Sequence, residues 1–312
     1  MRLGPLPGVA VLTTRTALLV NPVARRAAAV EAAVLRAFSA CGVTPTVEHT
    51  RAAGDGIRAG RELAASHDRL FVLGGDGTVM EAATGIAEAG SSIPIGILPA
   101  GTGNQLARAL SISLVPPRAV AQLLRGSERR IDIGILNGSR RVGIGAGLGL
   151  DAAMIAGARG SLKRHLGPAS YVVSGTAAAL RPQRFALSAE VDGRPLEREC
   201  TVAMVLNLGR IFNGLLELAP GASLVDGLLD LVIVDTRSLA DALSFSVSEM
   251  LLRRRHADSR WTFARGQAIR IETLDGSIPA QVDGDLIDDR RLSLEVAPLA
   301  ARLIVPADAR IV

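Results

Sequence analysis

Apolar runs alternate with segments of helical periodicity over the first 135 residues. Strands are predicted at 17–20, 43–49, 69–73 and 95–98, and helices at 25–40, 57–65, 79–89, 106–110 and 118–124. Strands that alternate with helices across short loops are typical of a parallel sheet covered by helices. We therefore predict an α/β domain of the Rossmann-like kind over residues 1–135.

Beyond residue 135 the pattern changes to short β-like runs separated by Gly, Asp and Pro turns. The runs are 185–191, 201–208, 229–234, 268–272 and 292–296, and two helical patches lie at 169–180 and 239–253. This pattern predicts a second, mostly antiparallel β-sandwich domain over residues 136–299. A last apolar run, 302–305, indicates that the C-terminal segment 300–312 returns to the first domain.

The composition indicates a folded protein of two domains and limits the classes of partner that it can bind. The 312 residues are 48% hydrophobic and 21% charged, which excludes a disordered chain. The net charge of +5 suits an anionic membrane or a nucleotide, but 3% aromatic residues leave few platforms for base stacking, so no nucleic-acid partner is expected. Cys41 and Cys200 are too few for a disulfide scaffold. No segment resembles a membrane span or a cleaved leader, so we expect a cytoplasmic protein.

A glycine-rich loop follows the third predicted strand and precedes a helix; it is called loop 1, and it consists of Gly74, Gly75, Asp76, Gly77 and Thr78. Glycines let backbone N–H groups approach phosphates, and a helix N-terminus adds positive potential. An aspartate in such a loop repels phosphate unless a metal ion lies between them, which indicates a metal–nucleotide complex. The alternative, a tight turn with Thr78 as helix cap, is equally compatible with the sequence.

A second loop follows the next predicted strand; it is called loop 2, and it contains Gly101, Thr102, Gly103 and Asn104. Loops at consecutive strand ends of a parallel sheet converge on one crevice. Thr102 and Asn104 carry donors for phosphate oxygens, although Asn104 is also a common helix cap. Together the two loops predict a phosphate-binding site.

These loops and their surroundings resemble the diacylglycerol kinase catalytic-domain family, soluble bacterial lipid kinases related to sphingosine and ceramide kinases. The resemblance extends over most of the chain. Its motifs are Asn21-Pro22, Thr50, loop 1 with Glu81, 98–108, Asp132 in 131–134, 149–152, 219–230 and 282–285. The family implies an NAD-kinase-like first domain, a β-rich second domain and a catalytic cleft between them.

The resemblance also implies roles for individual residues. ATP is expected to bind Thr50, Thr102 and residues 74–80, which include Val79 and Met80. Asp285 is expected to be the base that activates the lipid hydroxyl, with Asp283 beside it. A Mg²⁺ ion is expected in the second domain on Asp226 and the carbonyls of Ser223 and Leu228.

Elementary chemistry allows a further set of metal ligands. Phosphoryl transfer needs charge neutralisation and a carboxylate to take the hydroxyl proton, so Asp76, Asp132, Asp283 and Asp285 are candidates for a cluster that holds Mg²⁺. Each aspartate alone is also a common turn residue. Asp283-Gly284 has the signature of a hairpin turn.

The chain departs from the family pattern at four places. Val23-Ala24-Arg25 stands where the family has Ser-Gly, Gln105 where it has aspartate, and Asp285 where it has glutamate. The fourth is 210–214, which is less rich in glycine than in relatives. These departures keep a catalytically silent nucleotide- or lipid-binding protein as an alternative.

The expected activity is ATP- and Mg²⁺-dependent phosphorylation of a diacylglycerol-like or long-chain lipid alcohol. A soluble-acceptor kinase of the NAD kinase type is another alternative, because loop 1 is common to both groups. A lipid substrate requires docking on a membrane, for which Arg25, Arg26, Lys163 and Arg164 are the candidates on an anionic surface. An exposed strand edge would allow two copies of the chain to form a homodimer.

Overall fold

The computed structural model describes residues 14–149, 183–211, 216–235 and 260–309. The predicted helical patches at 169–180 and 239–253, together with Lys163 and Arg164, lie outside these ranges. In the described part of the chain, no helix has the length and apolar character needed to cross a membrane.

The first half forms the predicted parallel sheet with helices. Its strands are β1 (Thr16–Val20), β2 (Thr46–His49), β3 (Arg69–Gly74) and β4 (Ile95–Pro99), in the spatial order β2-β1-β3-β4. Its helices are α1 (Ala27–Ala40), α2 (Asp55–Ala64), α3 (Asp76–Glu88), α4 (Gln105–Ala109) and α5 (Pro116–Leu123). Strands β1, β3 and β4 are buried along almost their whole length, as expected for a sheet covered on both faces.

Beyond α5, the elements of the described ranges are strands. They are β5 (Ser127–Leu136), β6 (Arg140–Val142), β7 (Gly145–Gly149), β8 (Phe185–Val191), β9 (Arg194–Cys200), β10 (Val202–Leu206), β11 (Arg210–Ile211), β12 (Leu216–Glu217), β13 (Leu229–Val234), β14 (Trp261–Gly266), β15 (Ala268–Glu272), β16 (Ala280–Val282), β17 (Asp285–Ile287) and β18 (Arg291–Val305). One antiparallel sheet has the order β14-β13-β10-β7-β16-β17. The predicted fold class, a parallel α/β part followed by an antiparallel β part, is confirmed.

Strand β18 joins the two parts of the molecule. It runs parallel to β4, with Leu303 beside Ile95, and antiparallel to both β5 and β15. The sequence predicted two separate apolar runs, 292–296 and 302–305. The structure shows one strand whose pairing with β5 shifts register between Ala297 and Ala301, which is the mark of a β-bulge.

Several strands carry no clear sequence signal. β7 has the sequence Gly-Ala-Gly-Leu-Gly, a composition that is usual in turns, yet all five residues are buried between β10 and β16. β9 is mostly exposed and polar. Cys41 is exposed just after α1, which ends at Ala40.

Candidate active site

Loop 1 forms the sharp connection between β3 and α3. Gly75 is extended, and the first hydrogen bond of the helix runs from Val79 N to Gly75 O at 3.2 Å. The N–H groups of the preceding residues, Gly77 and Thr78, therefore have no acceptor within the helix. The N-terminus of α3 offers an anion both backbone donors and the positive end of the helix dipole.

Asp76 accepts hydrogen bonds from the start of α4 with both carboxylate oxygens. Oδ2 accepts from Gln105 N at 2.9 Å, and Oδ1 accepts from Leu106 N at 3.0 Å. Burial raises the pKa of Asp76, and these backbone donors oppose that effect. Asp76 was expected to imply a metal between it and a phosphate, but its carboxylate serves as the N-terminal cap of α4. The N-terminus of α4 is thus occupied, whereas that of α3 is open.

Loops 1 and 2 are in direct backbone contact. The N–H groups of Ala100 and Gly101 both donate to Gly74 O, at 2.8 and 3.2 Å. A Cβ atom added at Gly101 would lie 2.6 Å from the Cα atom of Gly75, so only glycine allows this approach. The prediction that the two loops converge at one edge of the sheet is confirmed.

Asn104 closes loop 2 on itself. Its Nδ2 donates to Gly101 O and its Oδ1 accepts from Gly101 N, both at 2.9 Å. The residue is buried and has a φ of 50°, a left-handed conformation that asparagine tolerates better than most side chains. Asn104 therefore shapes the loop, and its two side-chain atoms are engaged within it. Gly103 lies beside Asp76 and accepts from Arg108 Nε through its carbonyl oxygen, at 2.9 Å.

Three threonines predicted to hold nucleotide lie around this crevice. Thr78 Oγ1 accepts from Asn21 Nδ2 at 2.9 Å, which fixes the start of α3 to the end of β1. Thr50 is buried just beyond β2, where its N–H donates to Val20 O at 2.9 Å. Thr102 is partly exposed, and its hydroxyl forms no hydrogen bond within the described part of the chain. Val79 and Met80 are both buried.

The acidic hairpin of the second half joins β16 to β17. Asp283 and Gly284 have φ values of 49° and 89°, as the predicted two-residue turn requires. Asp283 Oδ1 accepts from the N–H groups of Ile144 and Gly145 at 2.8 and 3.0 Å, and Oδ2 accepts from Gly143 N at 3.0 Å. Asp283 therefore fixes the hairpin to the start of β7.

The carboxyl group of Asp283 binds its proton more tightly than an aspartate in water does. Burial raises its pKa from 3.8 to about 6; the three backbone donors oppose this shift, and the nearby charge of Asp76 adds to it. Because the folded chain holds this proton more tightly than the unfolded chain, the free energy of unfolding falls as the pH rises through 6.

We expect Asp283→Asn to remove this pH dependence. The free energy of unfolding of the variant, relative to wild type, should rise by about 1.4 kcal/mol between pH 5 and pH 8, on top of a pH-independent cost from the mismatched donor. Urea denaturation across this range measures the difference. Asp288→Asn, which neutralises an exposed aspartate of the same region, is the control. A difference that stays constant with pH would contradict the assignment.

Asp285 faces loop 1 across the cleft. Its carboxylate is 64% exposed, and Oδ2 lies 3.5 Å from the position of a Cβ atom on Gly77. Arg140 Nη2 lies 3.9 Å from the same oxygen. Gly143 packs against Met80, close enough that a Cβ would lie 2.8 Å from its Sδ atom. The acidic hairpin and the open end of α3 thus line opposite walls of one cleft.

Asp132 does not join these carboxylates. It is fully buried, and its oxygens accept from Gly227 N at 2.7 Å and Leu299 N at 2.8 Å. Within the described ranges, no group of three or more His, Cys, Asp or Glu residues is arranged to hold a metal ion. In the structure, two backbone N–H groups thus bind the carboxylate of Asp132, and its membership of a metal cluster with Asp76, Asp283 and Asp285 stays a prediction.

The other predicted metal ligands lie on the loop between β12 and β13. Asp226 Oδ1 accepts from Leu228 N at 3.1 Å, and the hydroxyl of Ser223 accepts from Val225 N at 3.3 Å. The second carboxylate oxygen of Asp226 lies 3.8 Å from Arg265 Nη1. The guanidinium of Arg265 thus lies beside Asp226, the carboxylate that was expected to bind the metal ion.

Sequence reasoning missed Asn207, a buried residue that contacts the backbone of both Asp132 and Gly143. Its Nδ2 donates to Asp132 O at 3.0 Å and to Gly143 O at 3.1 Å. It thereby links the strand that supports the loop 223–228 to the backbone that binds Asp283. An isolated asparagine after an apolar run carries no motif that identifies such a role.

Comparison with known proteins decides the family. Residues 15–136 match the family model for the diacylglycerol kinase catalytic domain. Residues 145–305 match the YegS C-terminal NAD kinase beta sandwich-like domain. The chain belongs to the diacylglycerol kinase family. It is a lipid kinase by this membership, as the resemblance implied.

The similarity to other members of this family extends over most of the chain. A diacylglycerol kinase of Bacillus subtilis is 31% identical over 273 residues, which are 82% of this chain and 87% of the relative. A probable lipid kinase, YegS-like, of Pseudomonas aeruginosa is 32% identical over 81% of this chain and 82% of its own. The crystal structure of a diacylglycerol kinase from Bacillus anthracis has the same fold, with a TM-score of 0.71 at 20% identity over 94% of this chain and 97% of that one.

Proposed function

We propose that the kinase transfers the γ-phosphoryl group of Mg²⁺-bound ATP to the hydroxyl of a diacylglycerol-like or long-chain lipid alcohol. One observation carries the proposal: the exposed carboxylate of Asp285 faces the open N-terminus of α3 at Gly77. A phosphate cradle and a carboxylate acceptor for a hydroxyl proton are the two parts that phosphoryl transfer requires.

The polyphosphate is best placed at the N-terminus of α3. The N–H groups of Gly77 and Thr78 have no acceptor within the helix, and Thr102 on the adjoining loop 2 carries a further hydroxyl donor. The N-terminus of α4 does not compete, because Asp76 already accepts from Gln105 N and Leu106 N. Asp76 therefore acts as a positioning residue that holds loop 2 against loop 1.

Asp285 is the group that takes the proton from the acceptor hydroxyl. Its carboxylate accepts no backbone hydrogen bond in the described part of the chain, which leaves it available to substrate or to a metal bound with the nucleotide. A bound Mg²⁺ supplies neutralisation of phosphate charge during transfer. Asp283 holds the hairpin that places Asp285 beside Gly77, and the Arg140 guanidinium lies 3.9 Å from the Asp285 carboxylate.

The deciding experiment follows labelled phosphate from [γ-³²P]ATP. Purified enzyme with Mg²⁺ is given diacylglycerol, a long-chain alcohol or NAD as acceptor, and products are separated by phase. Label in the lipid phase that is lost in Asp285→Asn supports the proposal. Label on NAD alone would identify a soluble-acceptor kinase, and ATP binding with no transfer to any acceptor would identify a silent nucleotide-binding protein.

We propose that a basic patch at the same end of the sheet docks the enzyme on anionic membranes. The patch is formed by Arg25, Arg26 and Arg118, and the strongly exposed apolar side chains Val23 and Val115 lie within it. Arg26 Nη2 donates to Leu114 O at 3.4 Å, which holds the two segments of the patch together. None of the three arginines pairs with a carboxylate in the described ranges. Exposed apolar residues among unpaired cations suit the interface of an anionic bilayer.

We expect Arg25→Ala with Arg118→Ala to weaken binding to anionic vesicles by about 30-fold, since each cation near such a surface contributes about 1 kcal/mol. Co-sedimentation with vesicles of phosphatidylglycerol and phosphatidylcholine measures the change. The matched control is Arg194→Ala with Arg198→Ala, two exposed arginines on β9. Strand β9 is the far edge of the sheet that continues from β4 through β18, β15 and β8. Equal losses in both double variants, or binding that is insensitive to salt, would contradict this docking surface.

A further inference from the structure

We propose that Arg265 supplies, at the loop 223–228, the positive charge that a divalent cation would supply there, and that this loop binds no metal ion. Arg265 lies on β14 directly opposite Asp230 on β13. Its Nε and Nη2 donate to Asp230 Oδ1 at 2.9 and 2.8 Å, and its Nη1 lies 3.8 Å from Asp226 Oδ2. One guanidinium therefore stands between two carboxylates.

The two carboxylates need a cation because one of them is buried. The side chain of Asp230 is 11% exposed, and it accepts hydrogen bonds from both Nε and Nη2 of Arg265. A buried carboxylate without a cationic partner would be strongly destabilising. The planar guanidinium meets this demand with two donors on one oxygen of Asp230 while a third nitrogen faces Asp226.

The same arrangement leaves poor conditions for Mg²⁺. Mg²⁺ requires oxygen ligands in a nearly ideal octahedron, and the protein carboxylate is the strongest of them. Asp226 Oδ1 is already an acceptor for Leu228 N, and Oδ2 is the atom that faces Arg265. An ion bound to Oδ2 would stand beside a fixed guanidinium, so the two positive charges would repel each other.

The loop has other means of keeping its shape. Asp132 Oδ2 accepts from Gly227 N at 2.7 Å, and Asp132 N donates to Leu224 O at 2.7 Å. Gly227 has a φ of 71°, which the turn at this point requires. Contacts to a buried strand thus do what coordination by a metal would otherwise do.

Electron paramagnetic resonance with Mn²⁺ as the probe tests the inference without nucleotide and without catalysis. We expect wild type and Asp226→Asn to bind Mn²⁺ equally. A Mn²⁺ site that is present in wild type, lost in Asp226→Asn and retained in Asp285→Asn would overturn the proposal, because it would place the ion on the loop and not in the cleft.

Removal of the guanidinium tests whether Arg265 takes the place of a metal ion at this loop. We expect Arg265→Met to bind Mn²⁺ at least about tenfold more tightly than wild type, with the gain abolished by adding Asp226→Asn. Arg265→Lys keeps the charge and should gain nothing. If Arg265→Met does not fold, the variant that combines it with Asp230→Asn removes the buried carboxylate and tests the same gain. Failure of the folded variant to gain a site would refute the role assigned to Arg265.

Discussion

Asp285→Asn is expected to lower kcat for lipid phosphorylation by about 10²–10⁴-fold, the range that a general base contributes. The amide has nearly the same shape as the carboxylate but takes up no proton from the attacking hydroxyl. Asp285 is exposed and accepts no backbone hydrogen bond in the described part of the chain, so the free energy of unfolding should stay within about 0.5 kcal/mol of wild type. ATP binding, measured by calorimetry, should persist, because the phosphate donors lie on α3. Steady-state kinetics with dispersed diacylglycerol gives the change in kcat.

Two companion variants make this result specific. Asp288→Asn removes the same charge from an exposed aspartate just beyond β17 and should leave kcat unchanged. Asp285→Glu restores the residue type that the family has at this position and lengthens the side chain by one methylene. Because its carboxylate still accepts a proton, it should retain at least about a tenth of wild-type kcat. Full activity of Asp285→Asn would show that another group takes the proton.

The alternation of apolar and polar residues was sufficient to predict the parallel part of the fold and the convergence of loops 1 and 2. Strand ends in a parallel sheet meet at one edge whatever the side chains are, so the glycine loops had to lie together. β7 was missed because burial between two strands overrides the turn-forming preference of its glycines. Such tertiary effects leave no local pattern in a sequence.

The roles of individual polar residues were harder to predict than their positions. Asp76 and Asn104 lie where the sequence placed them. Their side chains nevertheless bind backbone groups, of the start of α4 for Asp76 and of loop 2 for Asn104, because buried polar atoms must find partners. The residue Arg265 was not singled out, since an arginine in a strand has no motif and its partner Asp230 lies 35 positions away. Pairing across β13 and β14 is visible only once the strands are in register.

Gly101→Ala is expected to weaken ATP binding by about 100-fold or more. The added Cβ would lie 2.6 Å from Gly75 Cα and 3.0 Å from Asn104 Oδ1, and a backbone atom cannot turn aside as a side chain can. Loop 2 must therefore move away from loop 1, which disturbs the donors on both loops. A misplacement of about 1 Å at such a site can cost 10²-fold in activity, and overpacking costs about 1–3 kcal/mol in stability. Calorimetry with ATP and thermal unfolding measure the two effects.

Gly75→Ala is the control for Gly101→Ala. It distinguishes a loss of ATP binding caused by separation of the two loops from one caused by any methyl group near the phosphates. It adds the same methyl group on the opposite side of the contact, but there the nearest atom, Gly101 Cα, is 3.4 Å away, an ordinary van der Waals distance. We expect it to bind ATP at least about tenfold more tightly than Gly101→Ala and to unfold close to the wild-type temperature. Equal losses in both variants would mean that any methyl group near the phosphates is harmful. The backbone contact between Gly75 and Gly101 would then not be what positions the donors of the cleft.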